Sequence, residues 1–150
     1  MRHRTVVLIA LATAFSGAFA GVFAQEVSYI NPREASDASG GPFSGAVMVG
    51  NTLYLSGTLG LNPGQQVPAT AQEEARNVLG NIQSTLEAAG MTMDDLVSVQ
   101  VHSSDVEDYA AFNEVYRTFF TETFPARAFL GAGTLLFGAR FEVLGIAVRR

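Results

Sequence analysis

The stretch Phe124-Pro125-Ala126-Arg127-Ala128-Phe129-Leu130-Gly131 decides how the second half of the chain is read. Pro125 fixes its own φ and pushes Phe124 out of helical conformation, so a preceding helix ends here and an extended segment begins. Arg127 then stands at the mouth of a strand, where its planar fork of five donors can meet a carboxylate bidentately. Taken alone, the same residue also fits an ordinary solvated arginine at a strand start.

Upstream of the proline, Asp105 caps a helix whose Val106, Tyr109, Phe112, Tyr116, Phe119 and Phe120 form a heavily aromatic face. Before that helix, Leu96 to His102 reads as a strand with Val97, Val99 and Val101 on one face and Ser98, Gln100 and His102 on the other. Downstream, Arg140 to Val148 forms the last strand. Further back, Thr70 opens a helix with Glu73 as its capping-box partner. Ala71, Ala75, Val78, Leu79, Ile82, Leu86 and Ala89 recur at helical spacing until Gly90 closes it. Gly80 inside this helix costs about 1 kcal/mol relative to alanine, which predicts close packing against a sheet at that point. Ala46-Val47-Met48-Val49 and Leu53-Tyr54-Leu55-Ser56 flank Gly50-Asn51 as a hairpin. Val27 to Ile30 resembles a short strand, and Gly57 to Pro68 reads as a long loop. The order β-β-α-β-α-β-β predicts an α+β fold in which the helices cover one face of a mostly antiparallel sheet.

Composition narrows the chemistry. The 150 residues suit one domain, and 48 % apolar content supports a full core. Met1-Arg2-His3-Arg4, the apolar run Thr5 to Phe19 and the small residues after it read as a secretory signal peptide, residues 1–24, cut after Ala24. The competing reading is an uncleaved membrane anchor, which Ser16, Gly17 and Gly21 interrupt. Export implies a periplasmic or secreted protein. The remaining residues divide into a lead-in, 25–40, and a domain, 41–150. Without residues 1–24 there are seven Arg against fourteen Asp and Glu, a net charge of −7. That balance argues against nucleic acid or an anionic membrane as main partner. The sequence holds no cysteine and no lysine, which excludes thiolate nucleophiles, disulfides and Schiff-base chemistry. His102 is the one histidine left after residue 24, too few for a histidine metal cluster within one chain. The glycine-rich loops match no phosphate-binding or dinucleotide fingerprint, so no nucleotide cofactor is expected, and the single histidine leaves no metal site expected either.

Glu142 is the most informative carboxylate. It shares a face with Leu144, Ile146 and Val148, where a charge is costly unless paired or functional. It is either solvated at an edge or a general acid/base held near an arginine. His102 lacks an identifiable catalytic partner and reads as structural. Asn113 reads by default as solvated, as do the pairs Glu73-Glu74 and Asp94-Asp95.

Gly41-Pro42-Phe43-Ser44-Gly45-Ala46-Val47, Leu55-Ser56-Gly57, Asn81 to Gly90, Asp108 to Phe120, Pro125-Ala126-Arg127 and Glu142 to Arg150 occur in an order that resembles the Rid family. This is the group of reactive-intermediate imine and enamine deaminases also called YjgF-like proteins. The resemblance covers about residues 41–150. It implies a chorismate-mutase-like α+β fold and a homotrimer with active sites between subunits. It further implies cofactor-independent hydrolysis of small enamines and imines, such as 2-aminoacrylate, to 2-keto acids and ammonia. Arg127 then grips the substrate carboxylate, and Glu142 positions or protonates through a water. Ser56, Gly57 and Asn113 line the cleft, with Phe43 and Phe129 at two further cleft positions. Phe43 stands where the deaminases commonly have Tyr, and Phe129 where they commonly have Cys or Ser. Both exchanges remove a polar group, so the alternative expectation is a trimer that binds a small carboxylate without turning it over.

Overall fold

The computed structural model describes residues 25–31 and 42–150. The signal-peptide reading of residues 1–24, and most of the lead-in, fall outside the described residues. Six strands form one sheet in the order β1-β2-β3-β6-β4-β5. They are β1 Val27–Ile30, β2 Ala46–Val49, β3 Thr52–Leu59, β4 Leu96–Ser103, β5 Ala126–Gly131 and β6 Phe141–Val148. All pairs are antiparallel except β4 with β5. The helices are α1, Ala71–Ala88, and α2, Tyr109–Tyr116. The α+β expectation therefore holds, with two helices packed on one face of a mostly antiparallel sheet.

The capping signals act as read. Thr70 accepts from the Glu73 amide at 3.2 Å and Glu73 accepts from the Thr70 amide at 3.2 Å, satisfying two donors at the start of α1. Asp105 accepts from the Glu107 amide at 2.9 Å, ahead of a 3-10 turn that leads into α2. Val78, Leu79, Ile82 and Leu86 of α1, with Phe112 and Val115 of α2, are buried against Leu53, Leu55, Val99, Val101, Phe141 and Val143 of the sheet. Each such side chain contributes about 1.5–3 kcal/mol on burial.

Three local expectations change. The segment after Ser56 is not loop: β3 runs on to Leu59, because a bulge between Leu55 and Thr58 lets Thr58 pair with Val143 and Leu59 with Glu142. Val97 does not join Val99 and Val101. A second irregularity between Leu96 and Ser98 turns it outward, where it is exposed. Gly80 does not mark close packing, since a Cβ there would meet nothing within 4 Å.

Strand alternation sets two distinct faces. Phe141, Val143, Gly145 and Ala147 of β6 are buried beneath the helices, whereas Glu142, Leu144, Ile146 and Val148 are half-exposed on the other side. That second face also carries Tyr54 and Leu130, both exposed. Neither α1 nor α2 covers it.

Candidate active site

Arg127 and Phe129 lie opposite Val99 and Val101 in the β4–β5 register, so both point to the helix side. There α2 receives them. The Arg127 guanidinium sits 4.4 Å from the Tyr116 ring centroid and 5.9 Å from those of Tyr109 and Phe112. Contacts of this kind hold a desolvated guanidinium by attraction to the ring faces. Arg127 Nη2 donates to Asn113 Oδ1 at 2.6 Å. Among the described residues, Arg127 Nη1 and the Tyr116 hydroxyl are buried without a hydrogen-bond partner. A buried donor left unpaired on this half-buried guanidinium costs free energy, and a carboxylate is the acceptor that suits it best. Burial pushes the Tyr116 hydroxyl up to about 12, with the Arg127 cation pulling the other way. It stays a neutral phenol at any working pH.

The solvated default for Asn113 is overturned: it is buried and orients the arginine. Position 113 falls within the α2 turns that cover β5, between the buried Phe112 and Tyr116. Phe129, the cleft position where a polar group is missing, packs beside Arg127 on the helix side. Its ring meets Tyr109 edge-on at 5.1 Å and Phe112 at 5.7 Å, inside the aromatic cluster beneath the helix.

Glu142 belongs to the opposite face. In the two adjoining registers it lies against Leu59 of β3 and His102 of β4. Its Oε1 occupies the space where a Gly57 side chain would begin, since a Cβ at Gly57 would lie 2.2 Å from that oxygen. Gly57 is thus required by close approach of the carboxylate. Its neighbour Ser56 donates from Oγ to the Ser44 carbonyl at 2.7 Å, and the Ser56 amide donates to Gly45 at 3.0 Å. These bonds tie the bulge to the segment carrying Phe43, which is exposed.

The candidate residues therefore fall into two groups. Arg127, Asn113 and Phe129 come together under α2; Glu142, Gly57 and Ser56, with Phe43 alongside, come together on the open face. One chain does not bring the groups to a common point, and Glu142 is not held beside Arg127. The arginine nearest to it in sequence, Arg140, is committed elsewhere. Its Nη1 donates to Glu74 Oε2 at 3.0 Å and to the Pro68 carbonyl at 2.9 Å.

That pairing corrects another reading. Glu74 is not solvated but fully buried, and its Oε1 also accepts from the Arg140 and Phe141 amides at 2.6 and 3.0 Å. The sequence carried a signal for this, because position 74 belongs to the same helical stripe as Val78. Asp94 likewise is engaged, with Thr121 donating to both of its oxygens. Those bonds hold its carboxyl below the usual range. Tyr116, which reads as core from its spacing, is the floor on which Arg127 rests.

A mostly antiparallel sheet with two helices on one face defines an α+β domain, which carries an arginine fork with a buried, unpaired donor on one face and a carboxylate packed over a glycine on the other. The profile of the endoribonuclease L-PSP family matches residues 34–149, and the chain belongs to that family, the Rid or YjgF-like group. A goat (Capra hircus) protein named 2-iminobutanoate/2-iminopropanoate deaminase is 43% identical over 111 residues, 73% of this chain and 81% of its own. An Escherichia coli K12 protein of the same name is 38% identical over 121 residues, 78% of this chain and 94% of its own. Among solved structures, the Escherichia coli YjgF gene product superposes with a TM-score of 0.69 at 38% identity, covering 73% of this chain and 90% of that one. Escherichia coli TdcF with bound serine gives 0.70 at 32%, covering 75% and 91%.

Proposed function

We propose that this protein hydrolyses small 2-imino acids and their enamine tautomers to 2-keto acids and ammonia, at sites shared between copies of the chain in a homotrimer. The observation that carries the reading is the Arg127 fork, held by Asn113 through one nitrogen and left with a buried, unpartnered donor on the other. A small carboxylate matches that donor in charge and geometry. The deaminase names of relatives 38–43% identical support the chemistry. The serine bound to TdcF supports an amino-acid-sized ligand.

The two faces support the second copy. Glu142 lies across the sheet from Arg127, so a site using both needs Glu142 from a neighbouring copy. The uncovered apolar face around Tyr54, Leu130, Leu144 and Ile146 is suited to that contact. A head-to-tail contact that closes after three copies makes three equivalent sites.

In such a site Arg127 fixes the substrate carboxylate and thereby the imine carbon. Glu142 takes a proton from water as its oxygen adds to that carbon, and the proton passes to the imine nitrogen. The hydroxyl proton of the resulting carbinolamine then follows the same route, and ammonia leaves as the carbonyl forms. No covalent nucleophile is needed, only orientation, charge neutralisation and a proton carrier. RNA cleavage, which the family's name suggests, suits the chain less well. With no lysine and a net charge of −5 over all 150 residues, it offers little to a phosphate backbone. We further propose export after removal of residues 1–24.

The test uses an amino-acid oxidase to generate 2-imino acid in the presence of semicarbazide. The protein lowers semicarbazone formation and Arg127→Ala does not. Binding of a keto acid by calorimetry without any such lowering selects the carboxylate-binding alternative, which the loss of polar groups at Phe43 and Phe129 favours.

A further inference from the structure

Glu142 stands between two unlike neighbours. On the β3 side Gly57 has no side chain, and Oε1 lies over its Cα. On the β4 side its direct cross-strand partner is His102. Residues so paired in an antiparallel ladder share a face, with Cβ atoms about 4.5–5.5 Å apart, a span that an imidazole N–H and a carboxylate can bridge. Both side chains are half-exposed, on the face that α1 and α2 leave open. The other residues facing His102 carry no charge: Gln100 on β4, Leu130 on β5 and Leu144 on β6. Arg140 is held by Glu74 and the Pro68 carbonyl, and Asp105 by the Glu107 amide. Glu142 is thus the charged group on offer to His102, and His102 is the one donor-bearing side chain directly opposite Glu142.

We propose that His102 is a positioning residue for the reaction, donating a ring N–H to Glu142 and so fixing the carboxylate oxygen that faces the attacking water. The inference rests on the deaminase reading above for its kinetic consequence. Its structural content does not. A carboxylate without an orienting donor samples several rotamers, and a proton carrier displaced by about 1 Å loses much of its advantage. Gly57 supplies space and no side-chain donor, so a side-chain donor for the carboxylate has to come from the β4 side. A neutral histidine donating to a carboxylate also holds one tautomer, because the accepted proton is committed to one nitrogen.

Two measurements test this on the full protein. The first is kinetic, on His102→Leu and His102→Gln. His102→Leu lowers kcat about tenfold with KM within about twofold, and His102→Gln, which keeps an N–H donor, recovers most of the rate. The second is 15N NMR of the imidazole at a pH of about 8.5, where a free histidine ring is neutral. His102→Gln assigns the signal against His3. The wild-type ring shows one dominant tautomer, and Glu142→Ala, checked for an intact backbone spectrum, shows a mixture. Equal turnover in wild type and His102→Leu, or the same tautomer balance with and without Glu142, overturns the proposal. If the wild type has no deaminase activity, the function proposed above fails and the tautomer comparison alone decides for or against the His102–Glu142 contact.

Discussion

Two glutamates bracket the start of β6 and differ in almost every respect. Glu74 reaches it from α1, fully buried, and uses both oxygens on an arginine and two backbone amides. Glu142 lies within the strand, half-exposed on the opposite face, with one oxygen over a bare glycine. The first carboxylate has its hydrogen-bonding capacity filled by the fold; the second has capacity left over. A filled carboxylate is structure, and one kept open at some cost is where chemistry can happen. Arg140 and Arg127 repeat the contrast. Arg140 is spent on Glu74 and Pro68, whereas Arg127 keeps a buried donor unpaired.

The comparison breaks first at Glu74. Glu74→Ala leaves the Arg140 charge and two amides without their acceptor and should lower stability by about 3–5 kcal/mol in urea unfolding. A loss under 1 kcal/mol would mean that the buried pair is not what anchors β6. Next, Glu142→Gln should lower kcat for imine hydrolysis about 100-fold while moving the urea midpoint little, since the amide keeps the shape and an acceptor oxygen at a half-exposed position. Equal stability losses at the two positions would erase the distinction. A smaller effect is expected at Tyr116, whose hydroxyl is buried without a partner. Tyr116→Phe should raise stability by about 1 kcal/mol, and a loss instead would show that a second copy or a ligand satisfies that hydroxyl.

The smallest effect concerns Asp94, which is surface-held by Thr121. Its folded carboxyl lies below the ordinary value, so its contribution is complete above the unfolded value and fades as pH falls through the folded one. Asp94→Asn should therefore shrink the acid-side loss of stability and leave the neutral-to-alkaline side flat.

Much of this arrangement was legible in the chain, unevenly. The Thr70 and Asp105 caps, the Pro125 break and the α1 stripe rest on local chemistry that a sequence displays directly. Pairing is not local. The run from Gly57 to Leu59 reads as loop from its glycine and threonine, yet the ladder with β6 makes it strand. Val97 reads with Val99 until a bulge turns it outward. Glu74 looks solvated beside Glu73, because nothing nearby in sequence announces Arg140, 66 residues away. The resemblance named Arg127, Asn113, Glu142 and Gly57 as a set in sequence. The division of that set between two faces became visible only through strand register, and so did His102 beside Glu142.

The central claim is that Arg127 of one copy works with Glu142 of another. Arg127→Ala and Glu142→Gln should each be inactive alone. Unfolded together, mixed and refolded, they should regain about a quarter of wild-type imine hydrolysis, because in a random ring of three about one interface in four joins an intact Arg127 to an intact Glu142. A refolded mixture as inactive as either variant alone would contradict a site built across copies.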